Sequence, residues 1–266
     1  MKIDGRAIAA SLLKEVKESL SRELVVRAVV VAPSPATESY LAIKTARAKD
    51  AGMRLEVVRL MDTATTDEVI AAVQEPGADA VIVQLPLPSD IDRMSVLNSI
   101  PVSLDADVLS HPARILFEEG AEGALLPPVV GAVKEILERE NVSLKGVKTA
   151  VVGDGWLVGD PVARWFKQQG ADVTVITQES ESTVESLKEA MVVVTGVGSP
   201  HLITPELLTE GVVLIDAGTS ESGGAIAGDA DPACETVASV FTPVPGGVGP
   251  IAVASLFKNV ALLAKR

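Results

Sequence analysis

The stretch Thr149-Ala150-Val151-Val152-Gly153-Asp154-Gly155-Trp156-Leu157-Val158-Gly159-Asp160-Pro161 reads as a strand, a glycine-rich turn and the start of a helix. Glycines let a backbone approach a pyrophosphate closely. A helix N-terminus then offers free N–H groups and the positive end of its dipole. The spacing is G-x-G-x-x-x-G, one residue longer than the common fingerprint, so by itself it fits either a dinucleotide site or a plain tight turn. Its position, directly after a strand that opens an α/β unit, favours the dinucleotide.

Working outward on the C-terminal side, strands are expected at Asp172–Thr177, Met191–Thr195 and Val212–Asp216, with helical stretches between the earlier ones. The second strand ends at Thr177, and Gln178-Glu179-Ser180 follows, where an adenosine ribose would be read. Glu179 there would accept hydrogen bonds from a ribose diol and repel a 2′-phosphate; it reads equally as a solvated loop carboxylate. Ile251–Ala264 is the last strongly apolar helix. Before it, Thr242-Pro243-Val244-Pro245-Gly246-Gly247-Val248-Gly249-Pro250 is too conformationally restricted for a mere linker and reads as a functional loop.

On the N-terminal side, Asp4 caps a helix with apolar residues at Ile8, Leu12, Val16 and Leu20. Strands are expected at Leu24–Val31, Arg54–Leu60 and Asp79–Gln84, with helices over Ser39–Ala51 and after the capping box Thr65-x-x-Glu68. The third strand stops at Leu85-Pro86-Leu87-Pro88, where each proline removes a donor. Residues 110–126 are mixed in pattern and read as a link, and a helix resumes at Ala132–Arg139.

Composition supports two α/β domains. The chain has 266 residues, 47% apolar and only 3% aromatic, and aliphatic cores of this kind suit parallel sheets covered by helices. A net charge of −13 argues against a nucleic-acid partner. The lone Cys234 excludes an internal disulfide. No apolar run approaches the ~20 residues of a membrane span, and the start lacks the apolar core of a signal peptide, so a cytoplasmic protein is expected. With two histidines, His111 and His201, neither a His-rich metal site nor a Ser-His-Asp triad is supported, and no metal is expected.

Tyr40, the single tyrosine, and Lys44 stand four apart and share one helix face, which fits a site or an ordinary amphipathic surface. Gln84 lies at the carboxyl end of a strand, the edge where α/β sheets bind ligands. Asp105 and Asp107 follow in Ser103-Leu104-Asp105-Ala106-Asp107; paired loop acids are usually solvated. Lys44 is the plausible proton carrier, provided its surroundings lower the amine's affinity for its proton.

In order along the chain, these pieces resemble the bifunctional methylenetetrahydrofolate dehydrogenase/methenyltetrahydrofolate cyclohydrolase family. Pro35-Ala36-Thr37-Glu38-Ser39-Tyr40-Leu41-Ala42-Ile43-Lys44 is similar to the family's P-A-S-x-x-Y-V-x-x-K. Val83-Gln84-Leu85-Pro86-Leu87-Pro88 and Val244-Pro245-Gly246-Gly247-Val248-Gly249-Pro250 reproduce its V-Q-L-P-L-P and V-P-G-G-V-G-P. The resemblance implies an α/β chain of two domains. A folate-binding catalytic domain over 1–122 takes back the last helix, 250–266, and a Rossmann-like domain covers 123–249, with the cleft between them.

The resemblance also implies roles. Lys44 would move the proton of the cyclohydrolase step, Gln84 would hydrogen-bond it, Tyr40 would pack beside the folate ring, and Asp107 would anchor that ring. Pro245, Gly246 and Gly247 would line the folate site. Gly153, Asp154, Gly155, Val158 and Gly159 would hold the dinucleotide, with Thr177 and Ser180 at its adenosine end and Thr195 and Gly196 beneath the nicotinamide. Tetrahydrofolate derivatives are the implied substrates, NADP the implied cofactor with NAD as the competitor, and a homodimer the implied assembly. A monofunctional enzyme and a non-enzymatic folate or nucleotide binder are the alternatives.

Three departures stand out. The family's D-G reads Asp107-Val108, so either the loop is remodelled or the acidic role moves to Asp105. Its P-C-T-P-x-G reads Pro127-Pro128-Val129-Val130-Gly131-Ala132, a less polar wall. Its G-R-S reads Gly153-Asp154-Gly155, which puts an acid where an arginine would help hold a 2′-phosphate.

Overall fold

The computed structural model describes residues 1–222 and 225–266. They form two compact units: Met1–Ala9 with Val129–Ala252, and Ala10–Pro128 with Val253–Arg266. In chain order the first elements are α1 (Gly5–Ser19), β1 (Leu24–Val31), α2 (Pro35–Asp50), β2 (Met53–Leu60), α3 (Thr66–Gln74), β3 (Ala80–Val83), α4 (Arg93–Asn98) and α5 (His111–Glu118).

In the unit of residues 10–128 and 253–266, the sheet is parallel with order β2-β1-β3. The central strand, Leu-Val-Val-Arg-Ala-Val-Val-Val, is buried along nearly its whole length, as a strand flanked on both sides must be. Arg27 interrupts it without breaking it. Its guanidinium donates to the carbonyls of Glu75 and Pro76, so the buried charge is hydrogen-bonded at the end of α3.

Several elements differ from the sequence expectation, among them the helix that starts at Pro128 rather than Ala132, α2 and the segment 110–126. The α2 helix starts at Pro35 rather than Ser39, because the Ser34 hydroxyl accepts from Thr37 N at 3.1 Å and Pro35 supplies a preset φ in the first turn. Residues 110–126 are not merely a link. Ser110 caps α5, and the helix buries Ala113 and Phe117.

The remaining elements are α6 (Pro128–Arg139), β4 (Lys148–Val152), α7 (Gly159–Gln168), β5 (Asp172–Ile176), α8 (Thr183–Glu189), β6 (Val192–Thr195), β7 (Val213–Asp216), β8 (Ser220–Ser222), β9 (Ala225–Ala227), β10 (Val240–Phe241) and α9 (Val248–Leu263). In the unit of residues 1–9 and 129–252, β10-β7-β6-β4-β5 form a five-stranded parallel sheet. Its core joins Ala150 and Val152 to Leu187, Val193, Leu214 and Phe241.

The first nine residues group with this unit and not with residues 10–122 as expected. The reason is backbone pairing: Ile3 N donates to Phe241 O at 2.9 Å and Phe241 N donates to Met1 O at 2.9 Å. The other boundary falls after Pro128 rather than at 122/123. Among the described residues, no helix is long and apolar enough to cross a membrane.

Val253–Arg266, most of the last helix, groups with residues 10–128. Asn259, 6% exposed, is one reason. Its Nδ2 donates to Ala106 O and to Leu126 O, each at 2.8 Å. Substituting Asn259→Leu leaves two carbonyls short of a donor, at about 1–3 kcal/mol for each that stays dry. We expect chemical denaturation to show a loss of about 2 kcal/mol or more; an unchanged midpoint would contradict the account.

Candidate functional site

In the unit of residues 10–128 and 253–266, Lys44 projects from α2, and its Nζ donates to Gln84 Oε1 at 3.0 Å. Gln84 sits directly after β3. Its backbone N–H still pairs with Val29 O at 2.9 Å, so its Cα is fixed by the sheet. The amide Nε2 donates to Leu85 O at 2.8 Å, which turns Oε1 toward the lysine. The Leu85–Pro86 peptide is cis. Tyr40 lies one turn before Lys44 on the same helix, with 48% of its surface exposed and therefore open to a ligand.

The acidic loop runs beside β3, where Val81 N donates to Leu104 O at 2.8 Å. Asp105 is buried, and its two oxygens accept from Leu109 N at 3.2 Å and Ser110 N at 2.8 Å. Its capacity is spent on holding the loop. Asp107 is only partly buried. Desolvation pushes its carboxyl above the usual carboxylate range, the Lys44 ammonium opposes that, and the Asp105 charge adds to it.

The acidic loop turns at Val108. That residue takes φ 57°, the left-handed turn a glycine would favour, with its side chain 1% exposed. Placing a β-branched residue there costs roughly 1–2 kcal/mol, offset in part by burial of the isopropyl group. The geometry therefore leaves Asp107, not Asp105, available to a ligand.

In the other unit, β4 ends at Val152, and Gly153 follows with φ 93°. A Cβ on Gly159 would lie 2.0 Å from the Gly153 carbonyl oxygen, so helix and turn meet through bare backbone. Val158 precedes α7 and makes no side-chain cap; in the first turn Asp160 N donates to Gly155 O at 3.1 Å, Val162 N donates to Val158 O at 3.1 Å and Pro161 carries no N–H. Gly153 N donates to Ile176 O at 2.8 Å, which sets the end of β5 beside the turn.

There Thr177 N bonds Ser180 Oγ at 2.9 Å, while Glu179 stays exposed, as does Asp154. Both of these exposed charges are acidic. At the end of β6, Thr195 leads into Gly196, whose Cβ, if present, would strike the Val158 side chain at 2.3 Å. The turn 195–199 thus packs against the glycine turn. In the loop before α9, Val244–Pro245 is cis and Gly247 N donates to Pro243 O at 2.7 Å.

Comparison with known proteins accounts for both halves. Residues 3–107 match the model of the tetrahydrofolate dehydrogenase/cyclohydrolase catalytic domain, and residues 127–266 match that of its NAD(P)-binding domain. The chain belongs to the tetrahydrofolate dehydrogenase/cyclohydrolase family. It is 33% identical to the bifunctional protein FolD of Lacticaseibacillus paracasei, covering 100% of this chain and 98% of the relative.

Among solved structures of this family, the FolD methylenetetrahydrofolate dehydrogenase/cyclohydrolase of Campylobacter jejuni superposes with a TM-score of 0.96 at 28% identity, covering 100% and 98% of the two chains. The Trypanosoma brucei enzyme complexed with NADP and an inhibitor superposes with a TM-score of 0.93 at 29% identity, covering 100% and 97%.

Two buried acids that the sequence reading did not single out lie within residues 127–266, the stretch matched to the NAD(P)-binding domain: Asp216 and Asp229. Each neighbours a glycine or alanine, in Asp216-Ala217-Gly218 and Gly228-Asp229-Ala230, a signal of close backbone approach. Burial pushes the Asp216 carboxyl up to about 6, against the backbone N–H groups of Ala230, Gly218 and Asp229, and the Asp229 charge adds to the rise.

A raised value means that the folded chain binds this proton more tightly than the unfolded chain. The group's contribution therefore grows as pH falls through about 6 towards the ordinary carboxylate value, and is absent above it. Carbon-13 NMR of the Asp216 carboxyl should show a midpoint near 6; titration in the ordinary carboxylate range would refute the assignment.

Proposed function

We propose that this chain oxidises 5,10-methylenetetrahydrofolate to 5,10-methenyltetrahydrofolate with NADP and hydrolyses the product to 10-formyltetrahydrofolate. The observation that carries the reading is the Lys44–Gln84 hydrogen bond of 3.0 Å on a face that also presents Tyr40. A chain that only bound folate would have little use for an ammonium held by an oriented carboxamide. Both domain matches and the FolD relatives support the pair of activities.

In this reading Tyr40 packs beside the folate ring, Asp107 anchors it, and Pro245, Gly246 and Gly247 line the remainder of its site. NADP, when bound, would supply the acceptor for a hydride from the methylene bridge. Gly153, Gly155, Val158 and Gly159 hold the dinucleotide, Thr177 and Ser180 meet its adenosine end, and Thr195 and Gly196 lie under the nicotinamide. The chain's task is alignment of two carbons, and proximity supplies much of the rate. Loss of the hydride leaves a cationic methenyl carbon, which water attacks. Lys44, in its neutral amine form, takes a proton as the water adds and returns it to the departing ring nitrogen; the added hydroxyl gives up its remaining proton to solvent as the C–N bond breaks and the formyl C=O forms. The reading includes a homodimer in the cytoplasm.

Replacing Lys44 with Met should lower hydrolysis of methenyltetrahydrofolate by at least about 100-fold, while folate and dinucleotide binding stay measurable. Undiminished hydrolysis by K44M would remove Lys44 from the mechanism.

The choice of dinucleotide has a second reading. The T. brucei relative is complexed with NADP, which favours NADP here. Asp154 and Glu179, exposed where a 2′-phosphate would sit, favour NAD. Steady-state kcat/KM with each cofactor decides: a higher value with NADP upholds the proposal, and a preference of about 10-fold or more for NAD overturns it.

A further inference from the structure

The mechanism above makes no use of two buried acids, Asp216 and Asp229. Asp229 is fully buried, and its carboxylate accepts three short hydrogen bonds. Oδ2 takes Thr195 Oγ1 at 2.7 Å and Val197 N at 2.7 Å, and Oδ1 takes Ser199 N at 2.8 Å. The donors run from Thr195, the last residue of β6, into the turn that follows it. One anion therefore fixes alternate positions along that stretch, from its first residue to its fifth. Among the described residues, no lysine or arginine pairs with it. The burial of the charge is offset only by these donors, so the carboxylate and the turn hold each other in one geometry.

The turn in question is not remote from the ligand surface. A Cβ placed on Gly153 would meet Val197 Cγ2 at 3.1 Å, and Gly196 N donates to Val152 O at 3.2 Å. Asp229 is itself fixed from behind. Asp216, 1% exposed, accepts from Gly218 N at 2.9 Å and Ala230 N at 2.8 Å. Gly218 has no room for a side chain, because a Cβ there would sit 2.2 Å from the Asp229 carboxylate. Asp216 N in turn donates to Thr242 Oγ1 at 2.7 Å, at the root of the loop that carries Pro245–Gly247. Two buried acids thus tie the turn at 195–199 to the loop at 242–247 within one unit.

We propose that Asp229, braced by Asp216, is a positioning residue for hydride transfer, holding the turn at Thr195–Ser199 in register with the folate-lining loop at Thr242–Gly247. The proposal rests on the reading that this turn lies under the nicotinamide. Asp229 touches neither cofactor nor folate; it acts through the backbone it holds. Asparagine is a sharp probe. It keeps the size of the side chain but supplies one acceptor oxygen and one NH2 group, so whichever way it turns a donor faces a donor.

The test compares wild type, Asp229→Asn and Asp229→Ala in three measurements. The first is dehydrogenase kcat and KM; the second is cyclohydrolase turnover on methenyltetrahydrofolate without dinucleotide. The third is calorimetric binding of intact NADP and NAD against the fragments 2′-phospho-ADP-ribose and ADP-ribose, which lack the nicotinamide. D229N should lower dehydrogenase kcat about 30-fold or more, against an effect on hydrolysis of no more than about twofold, as expected for a lost alignment. It should also weaken the intact dinucleotides while leaving fragment affinity within about twofold.

Equal kcat in D229N and wild type overturns the proposal. So does a parallel loss of fragment binding and of intact-dinucleotide binding, which would make Asp229 a residue of the fold alone. If wild type itself shows no dehydrogenase turnover, the functional reading fails, and the comparison of intact cofactor with fragment still decides what Asp229 positions.

Discussion

The chemistry assigned to this chain depends on a carboxamide that cannot turn. Gln84 has a donor and an acceptor end of nearly equal shape, and only the environment decides which end faces the lysine. The Leu85 carbonyl takes the NH2 group, so the oxygen is left for Lys44. The same residue is anchored through its backbone to the central strand. Helix, strand and loop thereby agree on the position of one ammonium group. Asp107 reaches the same neighbourhood from a loop held by Asp105 below and by Asn259 from the last helix. A basic and an acidic group are thus each fixed from behind by residues that lie outside the proposed chemistry.

The two units share one device. Around Lys44 the supports are the Gln84 amide, the sheet and, under the Asp107 loop, the buried Asp105 carboxylate. Behind the dinucleotide surface they are buried carboxylates that gather backbone N–H groups, with small residues making room for them. A carboxylate that accepts several N–H bonds is a stiffer anchor than an amide, since it has no donor end to satisfy. Such stiffness suits a surface whose task is to aim a ring, where an error of about 1 Å is expensive.

Much of the fold was legible in the sequence, because periodicity and punctuation agreed. The run Leu24–Val31 admits no reading but a buried strand, and it is one. Short elements were harder. Residues 110–126 looked irregular because α5 is only 8 residues long, too short for a face to repeat. The grouping of Met1–Ala9 with the dinucleotide unit rests on main-chain pairing with Phe241, which no side-chain pattern announces. At the site, Tyr40, Lys44 and Gln84 stood out through a family resemblance rather than through spacing. Asp216 and Asp229 did not, since an isolated aspartate carries no sign of burial. The conflict at Asp107-Val108 was visible in the letters; its resolution, a valine held at φ 57° by its packing, was not.

The return of residues 253–266 to the unit built from residues 10–128 bears on how the chain acquires its shape during synthesis. Translation runs from residue 1 onward, so β1, β2 and β3 leave the ribosome long before Asn259 exists. Through that interval the carbonyls of Ala106 and Leu126 lack the amide that later joins them. The dinucleotide unit faces the opposite schedule: its stray piece, Met1–Ala9, is made first and waits for Phe241. Domains commonly fold as units in the order in which they emerge. Here the unit whose larger part is made earlier is the one whose last residues are made last, after every strand of the other unit has been synthesised.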